Sequence, residues 1–102
     1  MTSKITKSAS GKRCTMRLPG VCNHDPATTI WSHINSVRWG SGRGHKSPDI
    51  CGAYTCSDCG DAIDGRRLKD KNGERLDKEF VRLCAYEAHF ESLMILWEEG
   101  II

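Results

Sequence analysis

Residues 56–65 read CSDCGDAIDG, a cysteine pair followed by a short helical segment. Two thiols three positions apart can close on one ion where an extended segment turns into a helix. Asp58 and Asp61 suit the positive first turns of such a helix, and Gly65 ends it. A tetrahedral site needs a second pair, and residues 14–22, CTMRLPGVC, supply one, because the Pro19-Gly20 turn folds Cys14 and Cys22 back toward one point. Four sulfur ligands, Cys14, Cys22, Cys56 and Cys59, suit one structural zinc per chain. Cys51 is an alternative ligand in place of Cys14 or Cys22, and His24, next but one to Cys22, is a weaker one. Cys84 falls on the apolar stripe of the last helix and is expected to be a small buried side chain. The spacing resembles neither ferredoxin pattern, so zinc is preferred to an iron-sulfur cluster.

The rest of the chain explains why a metal is needed. With 102 residues, 38% hydrophobic and 27% charged, it has room for one small domain, whose core is marginal without a staple. It lacks the long apolar run of a membrane span. The opening MTSKITKSASGKR has no apolar stretch of the secretory kind. Cysteines used as ligands or buried thiols fit a reducing cytoplasm. Residues 1–50 carry a net +6 and residues 51–102 a net −4, so the first half fits a polyanion-facing surface. Residues 1–13 are expected to be a flexible basic arm, leaving 14–102 as the domain.

Within that domain, TIWSHI at 29–34 alternates as a short strand, with Thr29, Trp31 and His33 on one side. Residues 38–50, RWGSGRGHKSPDI, are too glycine-rich for helix or strand and form a long loop, in which Arg38, Arg43 and Lys46 can hold phosphate. A second strand is expected within 49–55 and a hairpin over 68–76, turning at Asn72-Gly73. Asp77 is the expected N-cap of a long helix running to Glu99. Phe80, Leu83, Cys84, Glu87, Phe90, Met94 and Trp97 trace a mostly apolar stripe on it, broadened by Val81, Leu93 and Leu96, and expected to pack on the domain. That stripe is large enough to suggest a homodimer as well. The glutamates on the helix make it a poor candidate for facing nucleic acid.

Taken together, CTMRLPGVCN, WSHI, GSGRGHKSPD, CSDCGDAIDGR and a final helix with WEEG resemble the small phage and prophage proteins of the YbcO type, regarded as candidate nucleases related to the HNH, or beta-beta-alpha-metal, group. The resemblance covers nearly the whole chain from Cys14 onward. It implies a small α+β fold: a zinc-supported, treble-clef-like beta-beta-alpha-metal unit with an added C-terminal helix, the zinc being held by Cys14, Cys22, Cys56 and Cys59. It puts His33 where HNH enzymes keep the histidine that activates water. It draws Lys46, Pro48 and Asp49 from the glycine-rich loop, and presents Asp61 and Asp64 toward the cleft. Two positions depart from the HNH pattern. The carboxylate usual before the histidine is Ser32, and the histidine common after the second metal-binding cysteine is Gly60.

The chemistry implied is DNA phosphodiester hydrolysis, with His33 as general base and Mg2+ or Mn2+ held by Asp49, Asp61 and Asp64. Asp61 and Asp64 lie three apart and so share a helix face. The competing readings are a non-catalytic, zinc-supported DNA-binding protein and a protein-interaction adaptor working through the final helix.

Overall fold

The computed structural model describes residues 3–36, 38 and 48–102. Arg43 and Lys46, expected at phosphate, lie outside the described residues, as does most of the glycine-rich loop. The elements are α1 (Lys4–Ser8), β1 (Ile30–His33), β2 (Gly52–Thr55), α2 (Ser57–Ile63) and α3 (Lys78–Glu98), with a short 3-10 turn over Pro26–Thr28. The fold is small α+β, built on a two-stranded antiparallel sheet. No helix among the described residues is long and apolar enough to cross a membrane.

The two strands pair Trp31 with Tyr54 and His33 with Gly52. All four residues of β2 are buried. Its alternation splits the interior in two: Ala53 belongs to a larger cluster with the cysteines, and Tyr54 to a smaller one with Trp31, Leu96 and Ala9. Trp31 meets Tyr54 edge-on, with ring centroids 5.2 Å apart. Among the described residues, the far edge of β2 has no third strand. There Tyr54 donates its N–H to Ser92 Oγ at 3.0 Å, and its carbonyl accepts from Thr15 N at 2.8 Å. Both backbone groups are thereby satisfied inside the core, as burial requires.

Residues 1–13 behave differently from a flexible arm over their described part. Ser3 caps α1, Ile5 packs on the smaller cluster, Ala9 is buried, and Ser8 Oγ lies 2.6 Å from the Tyr54 hydroxyl. A helix this short does not hold by itself; the apolar contact of Ile5 and Ala9 with the sheet holds it in place.

α3 starts at its Asp77 cap and ends before Gly100, as expected, but it packs through another face. The buried residues are Val81, Ala85, Ala88, Ser92 and Leu96, whereas Phe80, Leu83, Phe90, Met94 and Trp97 are exposed. Cys84 is half-buried against the larger cluster. The reason is approach distance. Small side chains let the helix axis come close enough for Ser92 to reach the β2 backbone, which a row of Phe, Met and Trp would prevent. Only Val81 and Leu96 of the expected stripe are buried.

Candidate functional site

The four cysteines come together from two local motifs. Cys14 and Cys22 flank a loop closed by Val21 N and Cys22 N on the Leu18 carbonyl, with Gly20 at φ +73° in the turn. Cys56 is the N-cap of α2, its sulfur accepting from Cys59 N at 3.4 Å, so one helical turn brings both thiols to the same side. All four sulfurs are buried and lie within 4.8 Å of one another. Cys56 Sγ and Cys22 Sγ are 3.8 Å apart, close to the edge of about 3.8 Å that tetrahedral coordination at about 2.3 Å implies. Arg17 N and His24 N each approach a cysteine sulfur at 3.4 Å, their residues turned to positive φ.

The proton affinities of this cluster are split. A hydrogen bond with Cys59 holds the Cys14 thiol down to about 4, and burial pushes the Cys22 thiol up to about 11. The bond to Cys14 and then burial push Cys59 upward. Four thiols in one buried pocket cannot all ionise unaided, and a divalent cation supplies the charge that lets them. The donor set therefore fits a soft, four-coordinate metal. Cys51 and Cys84 are outside the cluster, and His24 is exposed with Nδ1 3.6 Å from Cys22 Sγ.

His33, at the end of β1, is the second focus. Its Nε2 lies 3.1 Å from Asp49 Oδ1, and because a carboxylate only accepts, the Nε2 proton is fixed there. Asp49 is itself anchored by Trp31 Nε1, which donates to its backbone carbonyl at 2.6 Å. The sequence reading offered Asp49 as a metal-binding carboxylate beside Asp61 and Asp64; in the structure its carboxylate lies against His33 instead. A third group was not expected here: His89 of α3, whose Nδ1 donates to the Gly52 carbonyl at 2.7 Å beside the His33–Gly52 pair. Gly52 admits this crowding, since a Cβ there would lie 2.6 Å from both the Ser32 carbonyl and Trp31 Nε1.

The two departures from the HNH pattern face each other. Ser32 Oγ is 2.6 Å from Thr55 Oγ1, and a Cβ at Gly60 would fall 2.9 Å from Ser32 Oγ and 3.2 Å from Thr55 Oγ1. A hydroxyl pair pressed on a glycine fills the place. Asp64 lines the same cleft as His33, while Asp61 sits one turn earlier on α2, its carbonyl receiving Arg66 N and Arg67 N. Among the described residues, three or more metal-ligating groups converge only at the four cysteines.

The cleft beside His33, about 410 Å3, is walled by the end of α2, the hairpin and the first turns of α3. The hairpin forms as expected, with Gly73 at φ +81° and Leu76 N bonded to the Leu68 carbonyl. Lys71 docks it on the cysteine loop through Gly20 O and Cys22 O. Arg67, Arg75, Lys78 and Arg82 line the cleft, against one carboxylate, Asp64. Arg67 reaches Asp58 only at 3.6 Å, and its buried Nε has no partner among the described residues. Arg75, Lys78 and Arg82 take part in no ion pair among the described residues. The cations thus come from the half of the sequence with net negative charge, and two stand on the helix expected not to face nucleic acid. Counting charge along the chain misses them; the signal for Lys78 and Arg82 is their four-residue spacing, which puts both on one side of α3. Arg38 lines a neighbouring hollow, which it shares with Arg82.

Comparison with known proteins agrees with this picture. The profile of the family described as "Putative nuclease YbcO" matches residues 3–101. Two relatives, "Putative nuclease YbcO" of Escherichia coli (strain K12) and "Putative nuclease ybcO" of Enterobacteria phage 82, are each 35% identical over 98 residues, covering 96% of this chain and 95% of theirs. A solved structure, "Structure of a putative bacteriophage protein from Escherichia coli str. K-12 substr. MG1655", superposes with a TM-score of 0.75 at 33% identity, covering 94% of this chain and 99% of that one.

Proposed function

Because the chain belongs to the YbcO nuclease family, we propose that it binds DNA through the cationic cleft beside His33, on a zinc-supported unit of the beta-beta-alpha-metal kind. The order β1, β2, α2, with a cysteine pair opening α2, supports that finer fold reading. The observation that carries the function is the grouping of Arg67, Arg75, Lys78 and Arg82 around one cleft. Cations at this density neutralise phosphates and release counterions, whatever the base sequence. Cys14, Cys22, Cys56 and Cys59 would hold the zinc, which when bound neutralises the thiolates and ties the cysteine loop to α2.

Fluorescence anisotropy with labelled DNA at rising salt tests this reading. Binding should weaken steeply with salt, and Arg75→Ala or Arg82→Ala should each lower affinity and flatten the log–log slope by about 1. Binding indifferent to salt and to both substitutions refutes it.

A second reading, phosphodiester hydrolysis, is favoured by the His33–Asp49 pair. With Nε2–H held by Asp49, the other ring nitrogen of a neutral His33 is the one able to take a proton from water. Asp49 acts here by fixing the tautomer, and the cleft cations by stabilising phosphate charge. The described side chains do not fit a preformed Mg2+ or Mn2+ site, since Ser32 and Gly60 replace two ligands and Asp49, Asp61 and Asp64 do not converge. The test is a cleavage assay with and without Mn2+. Hydrolysis that falls by roughly 10^2-fold in His33→Ala, with DNA affinity retained, supports the role of base; equal cutting by a folded mutant removes it.

The exposed outer face of α3, which carries Phe80, Leu83, Phe90, Met94 and Trp97, would be the surface of a homodimer. Glu79, Glu87 and Glu98 on the same helix oppose self-pairing, so association followed by light scattering should strengthen with salt, in contrast to DNA binding. A monomer at every concentration and salt excludes it.

A further inference from the structure

The cleft beside His33 continues past Arg82. Arg82 and Ile34 also line a second hollow, of about 710 Å3, whose other walls include Arg38, Tyr86, His89 and Phe90. Helical periodicity builds that wall: positions 82, 86, 89 and 90 recur at three- and four-residue steps and share one side of α3. Lys78 stands one turn before Arg82 on the same side. Along this row the side chains change from cationic to aromatic, at a rise of about 1.5 Å per residue. Phe90 is 67% exposed, its ring 5.6 Å from that of His89 at a tilt of 59°. His89 is held in turn by the Gly52 carbonyl. The aromatic end is thus partly fixed to the sheet, while Phe90 itself stays exposed.

Cations leading into exposed aromatic rings match the two chemistries of a nucleotide strand, phosphates on the former and bases on the latter. In a duplex the base faces are already stacked on one another, so a ring beside the phosphate path reaches them only where a strand is unpaired. Resting on the DNA-binding reading above, we propose that this second hollow receives an unpaired base against Phe90, and that the preferred ligand is single-stranded DNA with its phosphates along Arg75, Lys78 and Arg82. Tyr86 and His89 shape the hollow, and Arg82 joins it to the cleft.

The test compares a short labelled DNA strand with its own duplex by anisotropy at one salt concentration, using wild type, Phe90→Leu, Phe90→Tyr and Arg75→Ala. Phe90 is exposed, so its variants should fold, which circular dichroism checks. Wild type should prefer the single strand by about tenfold or more. Phe90→Leu, still apolar but no longer aromatic, should lose on the order of 5- to 150-fold in single-strand affinity, the range for one stacked base. Phe90→Tyr should recover most of it, and duplex affinity should stay the same in both. Equal affinity of wild type for strand and duplex, with Phe90→Leu unaffected and Arg75→Ala still weak, overturns the base site while leaving the cleft reading in place. Absence of any salt-sensitive DNA binding overturns both.

Discussion

Replacing Cys56 by Ser should cost the chain its folded state, whereas replacing Cys84 by Ser should not. Cys56 contributes one of four sulfurs within 4.8 Å and also caps α2 by accepting from Cys59 N. The four cysteines sit in the larger core cluster, where the buried side chains bigger than alanine are otherwise Met16, Leu18, Val21, Ile34 and Val81 among the described residues. So small an apolar core cannot compensate for a lost metal. A closed four-thiolate zinc site contributes about 10–16 kcal/mol of apparent binding energy, as much as the whole net stability of about 5–15 kcal/mol of an ordinary domain. Cys84, half-buried at the edge of that cluster and outside the ligand set, should change stability by about 1 kcal/mol or less. The assay pairs metal content by elemental analysis with thermal unfolding followed by circular dichroism, before and after a strong chelator. Wild type should bind about one zinc per chain and lose its cooperative transition on chelation; Cys56→Ser should resemble the chelated protein and Cys84→Ser the untreated one. A chelated wild type that unfolds at its original temperature would refute the reasoning, as would two cysteine variants of equal severity.

Three further outcomes follow from individual contacts. Ser92→Ala should destabilise by about 1–3 kcal/mol in denaturant titration, because the Tyr54 N–H loses its partner in a fully buried place; no change in midpoint would mean that the edge of β2 is satisfied in another way. Gly52→Ala should cost about 1–3 kcal/mol through overpacking, its Cβ meeting backbone and indole atoms at 2.6 Å, and a melting temperature at or above that of wild type would count against the crowding at His33 and His89. Arg17 grips Glu91 at 3.0 and 2.8 Å, and this bond holds the Glu91 carboxyl below its ordinary 4.5. A depressed carboxyl stabilises the fold above its unfolded value and loses that contribution as pH falls through the folded one. Both groups are largely exposed, so Glu91→Gln should cost only about 0.2–1 kcal/mol at pH 7, with the gap to wild type closing below about pH 4; a gap that persists in stronger acid would rule out the ion pair as its source.

Short-range rules carried much of this protein. The cysteine pair at a helix start, the Pro19-Gly20 and Asn72-Gly73 turns, the TIWSHI strand, the Asp77 cap and the stop at Gly100 are each settled by a few neighbouring residues, and the structure has all of them. The convergence of Cys14 and Cys22 on Cys56 and Cys59 was legible too, because four thiols in so small a chain have few other ways to be buried. What remained hidden depends on which surfaces approach one another. Helical periodicity marked one face of α3, the large apolar one, whereas close packing on a two-stranded sheet selects the face that carries Ala85, Ala88 and Ser92. That choice leaves Phe90 exposed, sets His89 on Gly52, and turns Lys78 and Arg82 toward His33. The cleft itself draws its cations from the segment after α2, the hairpin and α3, more than 30 residues after His33, where no spacing rule links them. Local sequence fixes backbone conformation because the forces involved act within a turn; the site belongs to the tertiary structure because charge and shape there are summed across elements that meet only when the core closes.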